Sequence, residues 1–112
     1  MRRTLKKNSD FRRLYSKGKN VVNPYVAVYC RRNREEHNRL GYTVSTKLGH
    51  AVARNRVRRR LREIYRLNSQ RFKSGYDIVI VARMRCVGAE YKKLEAAVLE
   101  ACEKLELLEE QP

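Results

Sequence analysis

The sequence has no tryptophan, only two prolines and five glycines in 112 residues, and no low-complexity tract or internal repeat. Nothing in it is long enough to serve as a linker between domains. Its three cysteines, Cys30, Cys86 and Cys102, are scattered and form no CxxC pair. That argues against both a disulfide framework and a zinc site. No run approaches the ~18 apolar residues of a membrane span. The opening Met1-Arg2-Arg3-Thr4-Leu5-Lys6-Lys7 has no apolar stretch to act as a signal peptide. The expectation is a cytoplasmic protein without membrane contact. Acid is the scarcest resource where it would matter most: residues 1–75 contain only Asp10, Glu35, Glu36 and Glu63. A protein nuclease needs a carboxylate cluster for metal or a His acid/base pair. Asp10 suits a helix start, Glu35 and Glu36 sit in a charged loop, and Glu63 is surrounded by arginine. Glu90, Glu103 and Glu106, near the end, read as solubilising. No catalytic residue and no metal ligand is expected on this chain. His37 and His50 read as ordinary loop histidines.

What the chain does have is positive charge. It carries 27 Lys and Arg against 12 Asp and Glu, a net of +15, with a pI near 10.3. The distribution is uneven: residues 1–75 hold 22 bases and four acids, a net of +18, and residues 76–112 hold five and eight, a net of −3. Self-repulsion of that size opposes compaction unless a polyanion neutralises it. Phosphate backbones release counterions when Lys or Arg replaces them, a term that dominates non-specific affinity. An anionic membrane would call for an amphipathic helix with large apolar residues opposite the basic face. Nucleic acid is the better match. The 42% hydrophobic content supports one small core, so residues 1–112 are expected to form a single domain.

Periodicity suggests a mixed order of elements. Residues 8–17 predict a helix with Asn8 or Ser9 as N-cap, Asp10 in the first turn and Gly18 in a left-handed C′ position. Phe11, Leu14 and Tyr15 mark its apolar side. Residues 25–31 alternate as a strand, Val26, Val28 and Cys30 against Tyr25, Ala27 and Tyr29. A polar loop at 33–38 leads to a second strand at 39–46, with Leu40, Tyr42 and Val44 on one face, and the two strands are expected to form a hairpin. After a turn at Lys47-Leu48-Gly49-His50, residues 51–67 predict a helix whose inner stripe is Ala53, Val57, Leu61 and Ile64. Residues 77–83 form a continuous apolar run of the kind covered on both faces. A last helix over about 89–108 aligns Leu94, Ala97, Val98, Ala101, Cys102, Leu105 and Leu108. The fold class is therefore α+β: an α/β sandwich in the order α-β-β-α-β-α, with helices packed on a small mixed sheet.

The stretch Arg54-Asn55-Arg56-Val57-Arg58-Arg59-Arg60-Leu61-Arg62 has six arginines in nine residues. Val57 and Leu61 keep helical spacing within it, so the arginines form a folded basic face with little acid to pair against. Arg presents a planar fork that matches phosphate oxygens and stacks on bases. A solvated helix face is the bland alternative; the one-sided excess favours nucleic-acid contact. The aromatic residues Phe11, Tyr15 and Tyr29 beside basic residues suggest a single-strand stacking platform, against the simpler view that they are half-buried packing residues.

The segment from Lys47 through Arg54-Asn55-Arg56 to Glu63 resembles the signature of the bacterial ribonuclease P protein component family. Leu5-Lys6-Lys7-Asn8-Ser9-Asp10-Phe11-Arg12-Arg13-Leu14-Tyr15, Gly41-Tyr42-Thr43-Val44-Ser45 and Asp77-Ile78-Val79-Ile80-Val81-Ala82-Arg83 extend the resemblance over about residues 5–108. It departs at Thr46, where a Lys is common, and at His50, where Asn is usual. The resemblance implies a small basic subunit that binds a large catalytic RNA and assists endonucleolytic removal of the 5′ leader from precursor tRNA. Mg²⁺ would be held mainly by the RNA, with none bound tightly by the protein and no obligatory protein partner. It further implies that Lys47, Arg54, Asn55, Arg56, Arg58, Arg59 and Arg62 contact the catalytic RNA. Phe11, Tyr15, Tyr29, Thr43 and Ser45 would line a cleft for the leader. It also implies a left-handed β-α-β crossover, where general rules favour the right-handed one. Two other readings of the charge stay open: a structural RNA-binding protein of the ribosomal kind, and a DNA-binding module with the Arg-rich helix in a major groove.

Overall fold

A computed structural model describes residues 4–110; the basic start Met1-Arg2-Arg3 lies outside the described residues. Ten elements follow one another: α1 (Asn8–Lys17), β1 (Lys19–Val22), β2 (Val26–Arg32), β3 (Arg39–Thr43), a 3-10 turn (Thr46–Leu48), α2 (Ala51–Asn68), a second 3-10 turn (Ser69–Arg71), β4 (Tyr76–Ala82), a third (Met84–Cys86) and α3 (Tyr91–Lys104). This is the α+β sandwich of the sequence reading with one strand added. The strand order is β1-β2-β4-β3, antiparallel except for the parallel β3–β4 pair.

That order corrects the expected hairpin. The strands now bounded as β2 and β3 do not pair; β4 lies between them, Tyr29 facing Val79 on one side and Gly41 facing it on the other. The reason is burial. Ile78, Val79 and Ile80 are all sealed from solvent, so β4 has apolar surface on both faces and takes a central place. β2 finds its hairpin partner in β1, which the sequence reading missed. Only Val21 of its four residues packs against the core, too little for a periodic signal. Asn23 closes that hairpin: its Oδ1 accepts from the N–H groups of Tyr25 and Val26 at 2.9 and 3.0 Å, and its Nδ2 donates to the Ala97 carbonyl.

The faces of the sheet differ. Val26, Val28, Cys30, Leu40, Ile78 and Ile80 point to the side covered by α2 and α3, where Val57, Leu61, Ile64, Leu94, Val98 and Cys102 complete the main core. The other side carries a smaller cluster of Leu5, Leu14 and Val79, with Phe11, Tyr29 and Val81 packed around it. α1 covers that side only partly.

Three local expectations change. α1 starts with Lys7 at the N-cap position, without a side-chain cap, and Asn8 and Ser9 fall inside its first turn. Gly18 is extended at φ −81°, not left-handed. A Cβ there would stand 2.6 Å from the Leu14 carbonyl oxygen and 2.8 Å from that of Cys30, so glycine is required by close backbone approach. The last helix ends at Lys104; Glu106 takes φ 60° and turns the chain back. Leu107 is thereby fully buried and Leu108 bridges to Phe72, the strand-like end replacing the last helical turn.

Candidate nucleic-acid interface

β3 leads through a short turn into α2, and that turn is built locally. Ser45 Oγ accepts from the Lys47 N–H at 3.1 Å, buried Leu48 anchors the segment, and Gly49 leaves it at φ 138°. α2 then lays Val57, Leu61 and Ile64 on the core, which turns the arginine side outward. Asn55, Arg56, Arg59 and Arg62 are exposed; Arg54 and Arg58 are half-buried.

Several of these side chains are steered from within the helix. Arg54 Nε donates to the Gly49 carbonyl at 3.1 Å, and Arg58 Nη1 donates to Asn55 Oδ1 at 3.1 Å. The Arg62 guanidinium lies 5.9 Å from the centroid of the Tyr42 ring. Arg60, which the resemblance left out, turns away and donates to the Ala89 carbonyl at 2.6 Å, tying α2 to the loop before α3. Among the described residues, the ion pairs use Arg39, Arg66, Lys93 and Lys104, and none uses Arg54, Arg56, Arg58, Arg59 or Arg62. Glu63, the acid nearest the arginines in sequence, is held by Arg66 at 2.6 Å, and that bond lowers its carboxyl pKa.

On the other face, the sheet register assembles the aromatic groove. Tyr29, Val79 and Gly41 form one row across β2, β4 and β3; Ala27, Val81 and Thr43 form the next. The Phe11 ring rests over Gly41, where a Cβ would stand 2.7 Å from the ring. Tyr15 meets Tyr29 edge-on at 5.0 Å and Phe11 at 6.5 Å, and its hydroxyl shares a 2.7 Å hydrogen bond with Thr43 Oγ1. Phe11, Tyr15, Tyr29 and Thr43 thus converge. Phe11 is at the same time part of the small core, whereas Tyr15 keeps 40% of its surface in solvent.

Ser45 does not join them. It lines an adjoining open groove of about 790 Å³ with Lys47, Arg83 and Arg85. The sequence reading gave those two arginines no role. Arg83 donates to the Asn23 carbonyl at 2.8 Å, and Arg85 lies 5.9 Å from the Tyr25 ring centroid. The signal that would have found them is the parallel pairing of β3 with β4, which brings both C-terminal ends to one edge.

Carboxylates do not assemble a centre. Asp77 is gripped by Arg39 through two bonds of 2.8 and 2.7 Å and by Asn33 at 3.0 Å. Among the described residues, no group of three or more His, Cys, Asp or Glu side chains could hold a metal ion. No described helix is long and apolar enough to cross a membrane.

Known proteins resemble this chain throughout. A family model described as Ribonuclease P matches residues 1–106. The ribonuclease P protein component of Alkaliphilus oremlandii is 47% identical over 104 residues, spanning 93% of this chain and 91% of that protein. That of Clostridioides difficile is 44% identical, spanning 84% and 83%. In three dimensions, a Staphylococcus aureus RNase P protein superposes with a TM-score of 0.89 at 31% identity, covering 97% of this chain and all of the other. The Thermotoga maritima RNase P protein gives 0.81 at 31% identity, covering 88% and 94%. With sequence and fold matched over nearly the same span that carries the basic helix and the aromatic groove, this chain belongs to the family of ribonuclease P protein components.

Proposed function

We propose that this protein, as one RNA-binding domain over residues 1–112, binds the catalytic RNA of ribonuclease P and the 5′ leader of precursor tRNA. α2 docks on the RNA through Arg54, Asn55, Arg56, Arg58, Arg59 and Arg62, with Lys47 at its approach. The leader lies between α1 and the sheet, its bases stacking on Tyr15 and Tyr29 beside Phe11 and Thr43, with Ser45 at the far end. The two surfaces meet where β3 runs through Ser45 and Lys47 into α2, so one RNA assembly can engage both.

The observation that carries this reading is the set Arg54, Arg56, Arg58, Arg59 and Arg62 on α2, none of which pairs with a carboxylate among the described residues. A face of that charge is stabilised when phosphates replace its counterions. The protein does not perform the hydrolysis. Mg²⁺ supplies Lewis-acid and hydroxide chemistry to phosphodiester cleavage, but Asp77 and Glu63 are committed to arginines and no three His, Cys, Asp or Glu side chains cluster to hold an ion among the described residues. The proposal assigns the ion to the RNA. It also places the protein in the cytoplasm, with precursor tRNA as substrate and no obligatory protein partner.

Reconstitution tests the assignment. Adding the protein to its cognate RNA at low Mg²⁺ should restore leader removal, leaving a 5′-phosphate on the mature tRNA, while rigorously RNA-free protein should cleave nothing. Cleavage without RNA, or an unchanged rate on adding protein, would overturn it. Duplex DNA should compete poorly with precursor tRNA; efficient competition would favour a DNA-binding module.

A further inference from the structure

We infer that the flank of α2 holds a pocket for one unpaired purine of the RNA partner, an inference that rests on the RNA-binding reading above. A cavity of about 430 Å³ opens between the C-terminal half of α2 and the outer edge of β3, which the segment at Thr4 and Leu5 pairs with at Leu40, and it is walled by Tyr42, Arg62, Tyr65, Thr4 and Ser69. Its volume lies in the range of small-ligand sites. It is separate from the α1 groove, being on the opposite face of the sheet.

Three features suit a base. The first is a stacking plane. The Arg62 guanidinium lies 5.9 Å from the centroid of the Tyr42 ring, and Arg62 is an exposed residue at the cavity wall. Unstacked RNA bases are characteristically held on aromatic rings and guanidinium planes. The second is the backbone of Tyr42 at the outer edge of β3. The Leu40 carbonyl accepts from the Leu5 N–H at 2.9 Å on the outer side of β3. Two residues on, Tyr42 presents its N–H and C=O to that same side, and no described residue bonds to them there. An adjacent donor and acceptor of this kind match the polar edge of a purine. The third is the Tyr65 hydroxyl. It accepts from Asn38 Nδ2 at 3.4 Å, and among the described residues its own proton meets no acceptor.

Asn38 holds the pocket floor rigid. Its Nδ2 also donates to the Lys73 carbonyl, and its Oδ1 accepts from the Tyr76 N–H, both at 2.8 Å. Arg62 belongs to both the pocket and the basic face of α2, so a nucleotide whose phosphate lies on that face has its base within reach. Only a base already out of its helix can enter, which selects loops and bulges over paired RNA.

The test reads the reactivity of unpaired purines in the RNA subunit toward dimethyl sulfate, together with backbone protection from hydroxyl radicals. Wild-type protein should protect one unpaired purine about tenfold, in line with the value of stacking one base, alongside backbone protection by α2. Ser69→Trp fills the cavity from the helix side and Thr4→Trp from the strand side; either should abolish the purine protection and keep the backbone protection. Two independent variants guard against a local folding defect in one of them. If no purine is protected, or if both variants protect it as well as wild type while the backbone footprint persists, the pocket assignment is wrong and the RNA-binding reading stands. If wild-type protein leaves no backbone footprint, both fall.

Discussion

Arg59 and Arg62 sit one turn apart on α2 in different surroundings. Arg59 is exposed and makes no ion pair among the described residues; Arg62 is exposed too but leans on Tyr42. Replacing either by Ala should weaken binding to the catalytic RNA and reduce the salt slope of log K by about one unit if each meets one phosphate. Titrations at several salt concentrations measure both effects. Tyr29 belongs to the other surface. Tyr29→Ala should weaken leader-bearing precursor by about 1–3 kcal/mol, the value of one lost base stack, and leave mature tRNA unaffected. Equal losses on both substrates would remove the leader groove from the proposal. The placement of these side chains was partly legible in advance. The crowding of arginine at helical spacing marked Arg59 and Arg62 without any coordinates, but the sequence could not show Arg60 turning to the Ala89 carbonyl. That choice depends on where the loop before α3 lies.

Among the elements, α1 owes its position to Gly41. A methyl at that site would stand 2.7 Å from the Phe11 ring, so Gly41→Ala should displace α1. Overpacking of this kind costs about 1–3 kcal/mol. The expected outcome is a lower urea midpoint together with weaker leader binding, and Phe11→Leu in the same chain should recover part of the stability. The loop before β3 depends in the same way on Asn38, a buried polar side chain bonded to Lys73, Tyr65 and the Tyr76 N–H. Asn38→Ala should cost about 1–3 kcal/mol for each backbone group it orphans, measured by equilibrium unfolding. Helices were the easiest elements to read, because α2 has a full 18 residues over which the 3.6 period can repeat. Strand pairing was not. A hairpin between neighbouring strands is the local solution, and β4 displaced it because a strand apolar on both faces gains more in the middle of a sheet than at its edge.

For the molecule as a whole, the three cysteines report on the core. All are buried and unpaired, and burial raises their thiol pKa values from 9.0, that of Cys102 to about 12. A group whose folded pKa exceeds its unfolded one contributes stability fully below the unfolded value and loses it as pH rises toward the folded one. Cys102 should therefore favour the fold up to about pH 9 and progressively cease to do so between 9 and 12, with Cys30 and Cys86 acting in the same direction. Cys102→Ala should show a shallower loss of thermal midpoint across that window than wild type.

Charge, composition and helical period are local properties, so the sequence by itself determined a strongly basic chain, its three helices and the arginine face of α2. Whether Phe11, Tyr15, Tyr29 and Thr43 would share a groove was decided only by tertiary structure. They come from three elements, and only the insertion of β4 beside β3 and the close passage of Phe11 over Gly41 bring them together. The Tyr42 edge of β3 beside α2 was likewise invisible beforehand, because backbone groups left unpaired among the described residues are defined by the neighbours that a strand lacks there.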